Sequence, residues 1–312
     1  MNRKNGVDFV IVSCYGHEKI DYTRFNVESI NRYWKSVEHT IYLVVNWFDK
    51  ELDMKLHKEL FGDQDNIVIL EGVDQTSKGI RHIWHHGGFT YDPKLNPDTP
   101  ARQGLIDGCM VGAGGYYGSI ATSKGVLEGD REYVCVLDQD AIFLDSHATE
   151  LLKLLDKYKF VSNRWCPGSI FNYLAKRGTC DGSWDDGMAR IMLMLCKREL
   201  YDEIESENYV ERGIWKTSPY NCDYRDIGGN MTWYAKQKDY DWFILKNSYR
   251  DRFRSDNGLW KENLLDYPWG EQAWLDEIPI FFHATQGGRR GFDEFNRWSR
   301  EVKKYLEIVG IK

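Results

Sequence analysis

Residues 131–144 read REYVCVLDQDAIFL, and this stretch decides how the rest of the chain is interpreted. Its apolar run Tyr133–Leu137 is typical of a strand that is buried on both faces of a sheet. Asp138 and Asp140 follow directly, so two carboxylates are separated by a single residue. Carboxylates held this close repel each other unless a cation or hydrogen-bond donors compensate them. Hard oxygen ligands of this kind suit Mg²⁺ or Mn²⁺, and the alternative is a polar turn at a strand end.

Strands and helices alternate upstream of this stretch. We predict strands over Val7–Cys14, Thr40–Val45 and Asn66–Leu70, and helices over Arg24–Trp34, Glu51–Leu60 and Ser119–Leu127. Such alternation predicts an α/β fold with a doubly wound parallel sheet. Ligands of these sheets bind at the carboxyl ends of the strands, which is where Asp138 and Asp140 are expected to lie.

The patterns downstream are shorter. We predict strands over Phe160–Asn163, Arg190–Cys196, Trp242–Lys246 and Ile278–His283, and helices over Leu151–Tyr158, Lys197–Glu207 and Asp226–Lys236. Apolar residues from Phe292 to Val309 recur at three- and four-residue steps, which predicts an amphipathic C-terminal helix. Thr76–Gly118 and Trp165–Gly187 lack a clean period and are predicted to be long loops.

The amino-acid composition argues against several classes of protein. The 312 residues carry a net charge of -7, whereas a nucleic-acid binder normally shows a basic footprint, so no nucleic-acid partner is expected. The 7 cysteines include no C-x-x-C pair, which argues against a disulfide framework and a structural zinc site. Neither a signal peptide nor a membrane-spanning run is evident, so we expect a cytoplasmic protein, with peripheral membrane association left open. The aromatic content of 14% includes 12 Trp, which suits stacking on sugars as well as core packing.

Taken in order, these segments resemble the GT-A glycosyltransferases, particularly the inverting, family-2-like enzymes. The resemblance is carried by the small-residue helix and acidic strand end of residues 118–144, by NVESI at 26–30, by VVNWFD at 44–49 and by YRDIGGNMTWYAKQKDYDWFIL at 224–245. It touches most of residues 7–250. The chain has Arg225-Asp226 where the family usually has Glu-Asp, and Ser123 where Asn is commoner.

The resemblance implies a GT-A-like, mostly parallel sheet flanked by helices in a single domain over residues 1–312. Within it, 7–145 would bind the nucleotide-sugar, 146–290 would form an aromatic-rich acceptor half, and 291–312 would be the C-terminal helix. The implied enzyme is a metal-dependent, inverting, hexosyltransferase-type glycosyltransferase that uses Mn²⁺ or Mg²⁺. Its donor would be a UDP-, GDP- or dTDP-sugar, and its acceptor a glycan, a lipid-linked glycan or another hydroxyl compound.

The resemblance also implies roles for individual residues. Asp138 and Asp140 would hold the metal, with His283 as a third ligand, and an imidazole ligand favours Mn²⁺ over Mg²⁺. Asp226 would be the general base, and Asp223 and Glu271 are the alternative candidates for this role. The residues expected to contact the nucleotide-sugar are Ser13, Cys14, Tyr15, Asn46, Ser123 and Asp138. A helix cap is the alternative for Asp226, and a hydrogen-bonded buried histidine is the alternative for His283.

Two other function classes stay open at this point. Acidic pairs also serve metal-dependent nucleotidyltransferases, which would release pyrophosphate rather than a nucleoside diphosphate. A non-catalytic glycan-binding protein on the same fold is the other, because Arg225 replaces the family's Glu. Asp63-Gln64-Asp65 repeats the acidic tripeptide but precedes a strand, so we interpret it as an exposed turn.

Overall fold

The computed structural model describes residues 3–74, 121–122, 124–164, 189–206, 232, 234–249, 264–265, 267, 270–284 and 292–309. Its strands are β1 Lys4–Ser13, β2 His39–Trp47, β3 Ile67–Asp74, β4 Arg131–Asp138, β5 Ala141–Phe143, β6 Phe160–Arg164, β7 Ala189–Lys197, β8 Phe243–Tyr249, β9 Gly270–Leu275 and β10 Ile278–Ala284. Its α-helices are α1 Asp21–Tyr33, α2 Lys50–Phe61, α3 Leu151–Leu154, α4 Arg198–Ser206 and α5 Phe292–Val309. Short 3-10 helices cover His17–Lys19 and Ser146–Glu150, and residues 121–122, 124–128 and 234–237 are helical.

The described strands form one sheet of ten, in the order β3-β2-β1-β4-β7-β6-β8-β9-β10-β5. β3, β2, β1 and β4 run parallel to one another, and β6 is parallel to β8. The remaining pairs, including β9–β10 and β10–β5, are antiparallel. The predicted α/β class with a central, mostly parallel sheet is therefore confirmed, with the parallel strands in β3-β2-β1-β4 and the antiparallel pairs beyond β4. The division into three segments of function stays a prediction.

The core lies on both faces of the sheet, which explains why the central strands are apolar at most positions. Along β1 and β4, Phe9, Ile11 and Leu137 face the cluster that includes α1 and α5. Val10 and Val136 face the opposite cluster, which includes Ala121, Val126 and residues of α4. Successive side chains of a strand point to opposite faces, so both sets of side chains are buried in a strand that is covered on both sides, and most of them are apolar.

The predicted amphipathic C-terminal helix is confirmed as α5. Trp298 is fully buried and its ring centroid lies 4.3 Å from that of Tyr22 and 5.6 Å from that of Phe25 on α1. Tyr305 donates a hydrogen bond from its hydroxyl to the carbonyl of Leu144, at 2.7 Å. The helix therefore anchors α1 and the segment that follows β5.

The predicted strands are all confirmed, as β1, β2, β3, β4, β6, β7, β8 and β10. The helix predicted over Leu151–Tyr158 is wrong in its length, because α3 ends at Leu154. The chain must turn there, since Lys159 already donates its backbone N–H to Asp241 and β6 begins at the next residue.

Two strands, β5 and β9, were not predicted, and both border β10. The predicted loops Thr76–Gly118 and Trp165–Gly187, and the start of the helix predicted over Asp226–Lys236, lie outside the described residues. None of the described helices combines the length and the apolar character that crossing a membrane requires.

A buried ion pair joins the amino-terminal end of β1 to α4. The carboxylate of Asp8, which is fully buried, lies 2.5 Å from Nη2 of Arg198, whose side chain is 4% exposed. Asp8 also accepts the backbone N–H of Arg131 at 2.9 Å, and Arg198 donates through Nε to the Arg131 carbonyl at 2.8 Å. This network connects β1, β4 and α4 at the end of the sheet opposite the acidic turn.

We expect Asp8→Asn to lower the free energy of unfolding by about 3–5 kcal/mol, because it leaves the Arg198 guanidinium buried without its counter-charge. The control is Asp130→Asn, which removes the carboxylate of the solvent-exposed Lys4–Asp130 pair. Exposed pairs contribute about 0–1 kcal/mol. Urea unfolding of both variants measures the difference, and equal losses would contradict the assignment of Asp8 as a structural anchor.

Candidate metal centre

The pairing of β10 brings His283 to the acidic turn that follows β4. β10 lies between β9 and β5, and its register sets His283 opposite Glu271 of β9 and Ala141 of β5. β5 begins directly after Asp138-Gln139-Asp140, and Ala284 donates its backbone N–H to the Asp140 carbonyl at 2.9 Å. Residues about 140 positions apart in the chain therefore meet at the carboxyl end of the parallel strands.

Three side chains converge at this point. Nε2 of His283 lies 3.1 Å from Oδ1 of Asp140 and 3.4 Å from Oδ2 of Asp138. One potential ligand atom from each residue lies within 4.8 Å of the others. The side chains of Asp140 and His283 are 1% and 3% exposed, whereas that of Asp138 is 39% exposed. The group is therefore buried at Asp140 and His283 and accessible to solvent at Asp138.

The charge around His283 is strongly negative. A third carboxylate, that of Glu271, lies with Oε1 3.3 Å from Nδ1 on the far side of the ring. Burial opposes protonation of the imidazole, but Asp140, Asp138 and Glu271 together hold the pKa of His283 well above its ordinary value. The surroundings thus favour a positive charge, and two carboxylates with one imidazole are a suitable donor set for Mn²⁺ or Mg²⁺. The residues present fit a divalent metal ion.

Gln139, the residue between the two aspartates, fastens the acidic turn to the end of β1. Its buried side-chain oxygen accepts the backbone N–H groups of Cys14 and Tyr15, the latter at 3.2 Å. Tyr15 in turn donates from its hydroxyl to Oδ2 of Asp140 at 3.2 Å. Cys14 and Tyr15, predicted as nucleotide contacts, are thus placed against the candidate metal group.

One further hydrogen bond and one shifted pKa define the local chemistry. Asn26 of α1 donates from its side-chain amide to the backbone carbonyl of Asp138 at 2.8 Å, which holds the end of β4 from the opposite side. Desolvation, followed by the charges of Asp138 and Asp140, raises the pKa of the Cys14 thiol. Cys14 contributes its backbone N–H to the Gln139 side chain.

Ser13 and Asn46, also predicted as nucleotide contacts, lie at the ends of β1 and β2 with little exposure of their side chains. Ser13 Oγ lies 2.9 Å from Oγ1 of Thr23 and 2.9 Å from Nε2 of His57. Asn46 accepts the backbone N–H of Val73 through Oδ1 at 2.8 Å. Both side chains hold neighbouring elements together, a role that their positions in the sequence did not indicate.

Asp53 is a residue of this edge that the sequence interpretation missed. Its carboxylate is fully buried and accepts the backbone N–H groups of His17 at 2.9 Å, Phe48 at 3.0 Å and Asp49 at 3.2 Å. It therefore joins the connection after β1 to the connection after β2. The only signal in the sequence is a polar residue four positions before His57 on the inner face of α2, and that spacing alone does not identify a function.

The other predicted site residues divide into two groups. Asp226, Asp223 and Ser123 lie outside the described residues, so their roles stay predictions. Glu271, a reserve candidate for the general base, is 2% exposed and lies behind His283, on the side of the ring away from the two aspartates.

No protein-family model matches the sequence, and no curated protein matches it. Solved structures of glycosyltransferases do match. The galactosyltransferase LgtC in complex with donor and acceptor sugar analogs matches over 77% of this chain and 73% of its own, with 11% identity and a TM-score of 0.37. The mannosyltransferase PcManGT from Pyrobaculum calidifontis, in complex with GDP-Man and Mn²⁺, matches over 64% of this chain and 47% of its own, with 13% identity and a TM-score of 0.38.

The bifunctional glycosyltransferase WbbM, in its apo form, matches over 79% of this chain and 39% of its own, with 11% identity and a TM-score of 0.40. The chain is similar in fold to these GT-A-type glycosyltransferases. At these identities and TM-scores the likeness carries no conclusion about the activity of this chain.

We expect Gln139→Ala to destabilise the protein, because it leaves the N–H groups of Cys14 and Tyr15 without their acceptor, at about 1–3 kcal/mol for each. The matched control is Gln64→Ala in Asp63-Gln64-Asp65, where Gln64 accepts one hydrogen bond from Asn31 at 3.1 Å. That loss should cost about 0.5–1.5 kcal/mol. Urea unfolding compares the two variants. A Gln139→Ala protein as stable as the Gln64→Ala protein would rule out that Gln139 stabilises the contact between the acidic turn and the end of β1.

Proposed function

We propose that the protein is a metal-dependent glycosyltransferase that moves a sugar from a nucleotide-sugar donor to a hydroxyl acceptor. The observation that carries this proposal is the group formed by Asp138, Asp140 and His283 at the carboxyl ends of the parallel strands β1 and β4. Ligands of open α/β sheets bind at this edge. An acidic, imidazole-containing group at that position is suited to a divalent ion and, through it, to a diphosphate.

The three ligands have different tasks in this proposal. Asp140 and His283 are buried, and Tyr15 and Glu271 contact them, so these two ligands would fix the position of the ion. Asp138 is the accessible member and faces the side from which a donor approaches. A divalent ion bound here would stabilise the negative charge of the departing nucleoside diphosphate as a Lewis acid. Because one of the three ligands is an imidazole nitrogen, Mn²⁺ is the favoured metal.

The nucleotide part of the donor is assigned to the ends of β1 and β2. Asp53 supports this assignment, because it holds the two connections that follow these strands in one fixed arrangement. A prearranged pair of connections reduces the ordering cost of binding a ligand between them. UDP-, GDP- and dTDP-sugars are the donor classes to be tested.

The acceptor side of the reaction rests on predicted residues. An inverting transfer requires a general base that takes the proton from the acceptor hydroxyl as this oxygen attacks the anomeric carbon. Asp226 is the proposed base, with Asp223 in reserve, and the proposed acceptors are glycans or lipid-linked glycans. The proposed location is cytoplasmic, with access to a membrane surface for lipid-linked acceptors.

The decisive experiment uses the two acidic tripeptides of the chain as test and control. Asp138→Asn and Asp140→Asn should each lower Mn²⁺-dependent release of nucleoside diphosphate by about a hundredfold or more, because each removes a charged oxygen ligand. Asp63→Asn/Asp65→Asn makes the same chemical change in an exposed turn and should leave turnover at the wild-type level.

The assay monitors a panel of UDP-, GDP- and dTDP-sugars with Mn²⁺ and with a chelator. Turnover that survives in Asp138→Asn and Asp140→Asn would refute the proposal. Release of pyrophosphate in place of a nucleoside diphosphate would indicate a nucleotidyltransferase instead.

Asp53→Asn should raise the KM for the donor by about tenfold with a smaller change in kcat, since it loosens the connections without touching the metal group. An asparagine presents an amide NH₂ where the carboxylate accepted backbone N–H groups. Glu51→Gln, an exposed change on the same helix, is the control. Steady-state kinetics measure both variants, and an unaltered donor KM in a folded Asp53→Asn protein would exclude this role.

A further inference from the structure

Glu271 is the third carboxylate at His283, and its position indicates a task different from that of a base. We propose that Glu271 is a positioning residue: it holds the Nδ1–H of His283, so that Nε2 presents its lone pair to an ion bound by Asp138 and Asp140. The inference rests on the metal site of the proposed function. It concerns metal binding itself, which can be measured without any sugar donor.

The first step in this inference is the orientation of the imidazole ring. Nε2 faces the two aspartates at 3.1 and 3.4 Å, and Nδ1 faces Oε1 of Glu271 at 3.3 Å. A neutral imidazole carries one N–H and one lone pair, so the partner of one nitrogen decides what the other can do. A carboxylate at Nδ1 accepts the N–H there and leaves Nε2 as the ligand. Carboxylate–histidine–metal arrangements fix the ring and increase the basicity of the ligating nitrogen in this way.

The second step is the rigidity of the strand that carries Glu271. Glu271 and His283 are direct cross-strand partners of β9 and β10. The preceding residue is Gly270, where a Cβ atom would lie 1.9 Å from Cζ of Phe282, so only glycine allows β9 to approach this closely. The following residue, Gln272, is fully buried and accepts the backbone N–H of Leu264 through Oε1 at 2.8 Å. Glu271 is therefore held in place from both sides.

The third step is accessibility. A general base must reach the hydroxyl of an acceptor that arrives from solvent. The Glu271 side chain is 2% exposed, and the His283 ring lies between it and the accessible Asp138. A buried carboxylate is costly unless it has a partner, and Nδ1 of the imidazole lies 3.3 Å from it. This position suits the orientation of His283 and not proton transfer from an acceptor.

The test compares Glu271→Gln with Glu277→Gln, which makes the same change in the exposed turn of the same hairpin. In Glu271→Gln, the Mn²⁺ dissociation constant measured without donor should rise by about 10–100-fold, the usual effect of losing such a partner. The amide NH₂ of glutamine can donate to Nδ1 and so shift the ring N–H to Nε2, where it blocks the ligand position. Glu277→Gln should bind Mn²⁺ as the wild type does.

Pulsed EPR of bound Mn²⁺ provides a second readout that a merely structural role would not change. The wild type should show nitrogen coupling from His283, and Glu271→Gln should show it weakened or lost. Circular dichroism and thermal unfolding in a chelator check that the variants are folded. Glu271→Asp, which keeps the charge on a shorter side chain, should bind Mn²⁺ with an affinity between those of the wild type and Glu271→Gln, and it serves as the test variant if Glu271→Gln does not fold.

The outcomes separate this inference from the proposed function. Wild-type Mn²⁺ affinity and nitrogen coupling in folded Glu271→Gln would overturn the positioning role and leave the glycosyltransferase proposal intact. Lost turnover with unchanged Mn²⁺ affinity would make Glu271 a base and also overturn it. A wild-type protein that binds no Mn²⁺ would remove the metal site on which both proposals depend.

Discussion

The register of β10 between β9 and β5 is the constraint on which the candidate site depends. Successive side chains of a strand point to opposite faces, so a shift of one residue would replace His283 by Phe282 or Ala284 at the acidic turn. Aromatic packing opposes such a shift. Phe281 pairs directly with Phe143 of β5, and their ring centroids lie 5.7 Å apart. The same apolar contacts that form the core thus place an imidazole beside two carboxylates.

The second constraint is the cost of holding carboxylates close together. Asp140 is buried, and its charge is met by the Tyr15 hydroxyl and by the His283 ring. Asp138 keeps contact with solvent, so its charge needs less compensation. Gln139 links both to the end of β1 through backbone N–H groups. A site with rigid buried ligands and one accessible ligand is preorganised for an ion and still open to a substrate.

Local patterns in the sequence were sufficient for the parts of the fold that depend on neighbouring residues. The apolar run Tyr133–Leu137 predicted a buried strand, and the acidic pair after it predicted a polar strand end, because both signals come from adjacent residues. The strand ending at His283 was found for the same reason. By contrast, β9 reads GEQAWL, in which Glu271 and Gln272 are polar although both are buried. No periodicity identifies such a strand, because its buried polar residues contact partners outside the strand: Glu271 lies beside His283 of β10, and Gln272 accepts a hydrogen bond from Leu264.

The same limit applies to the roles of individual side chains. The resemblance implies that Ser13 and Asn46 contact the ligand, and the structure adds that each is hydrogen-bonded within the fold. Asp53 was overlooked because its three backbone donors come from two separate connections. Glu271 was placed among the candidate bases because a sequence shows that a carboxylate is present but not what it faces. Tertiary pairing, which no local pattern encodes, supplies that information.

The most direct test of the central claim is an anomalous-scattering map from crystals grown with Mn²⁺ and a nucleoside diphosphate. The predicted result is one manganese peak within coordination distance of the Asp138 and Asp140 carboxylates and of Nε2 of His283, with Nδ1 directed at Glu271 and the diphosphate on the Asp138 side. A manganese ion bound elsewhere, or a His283 ring turned away from the two aspartates in the loaded protein, would contradict it.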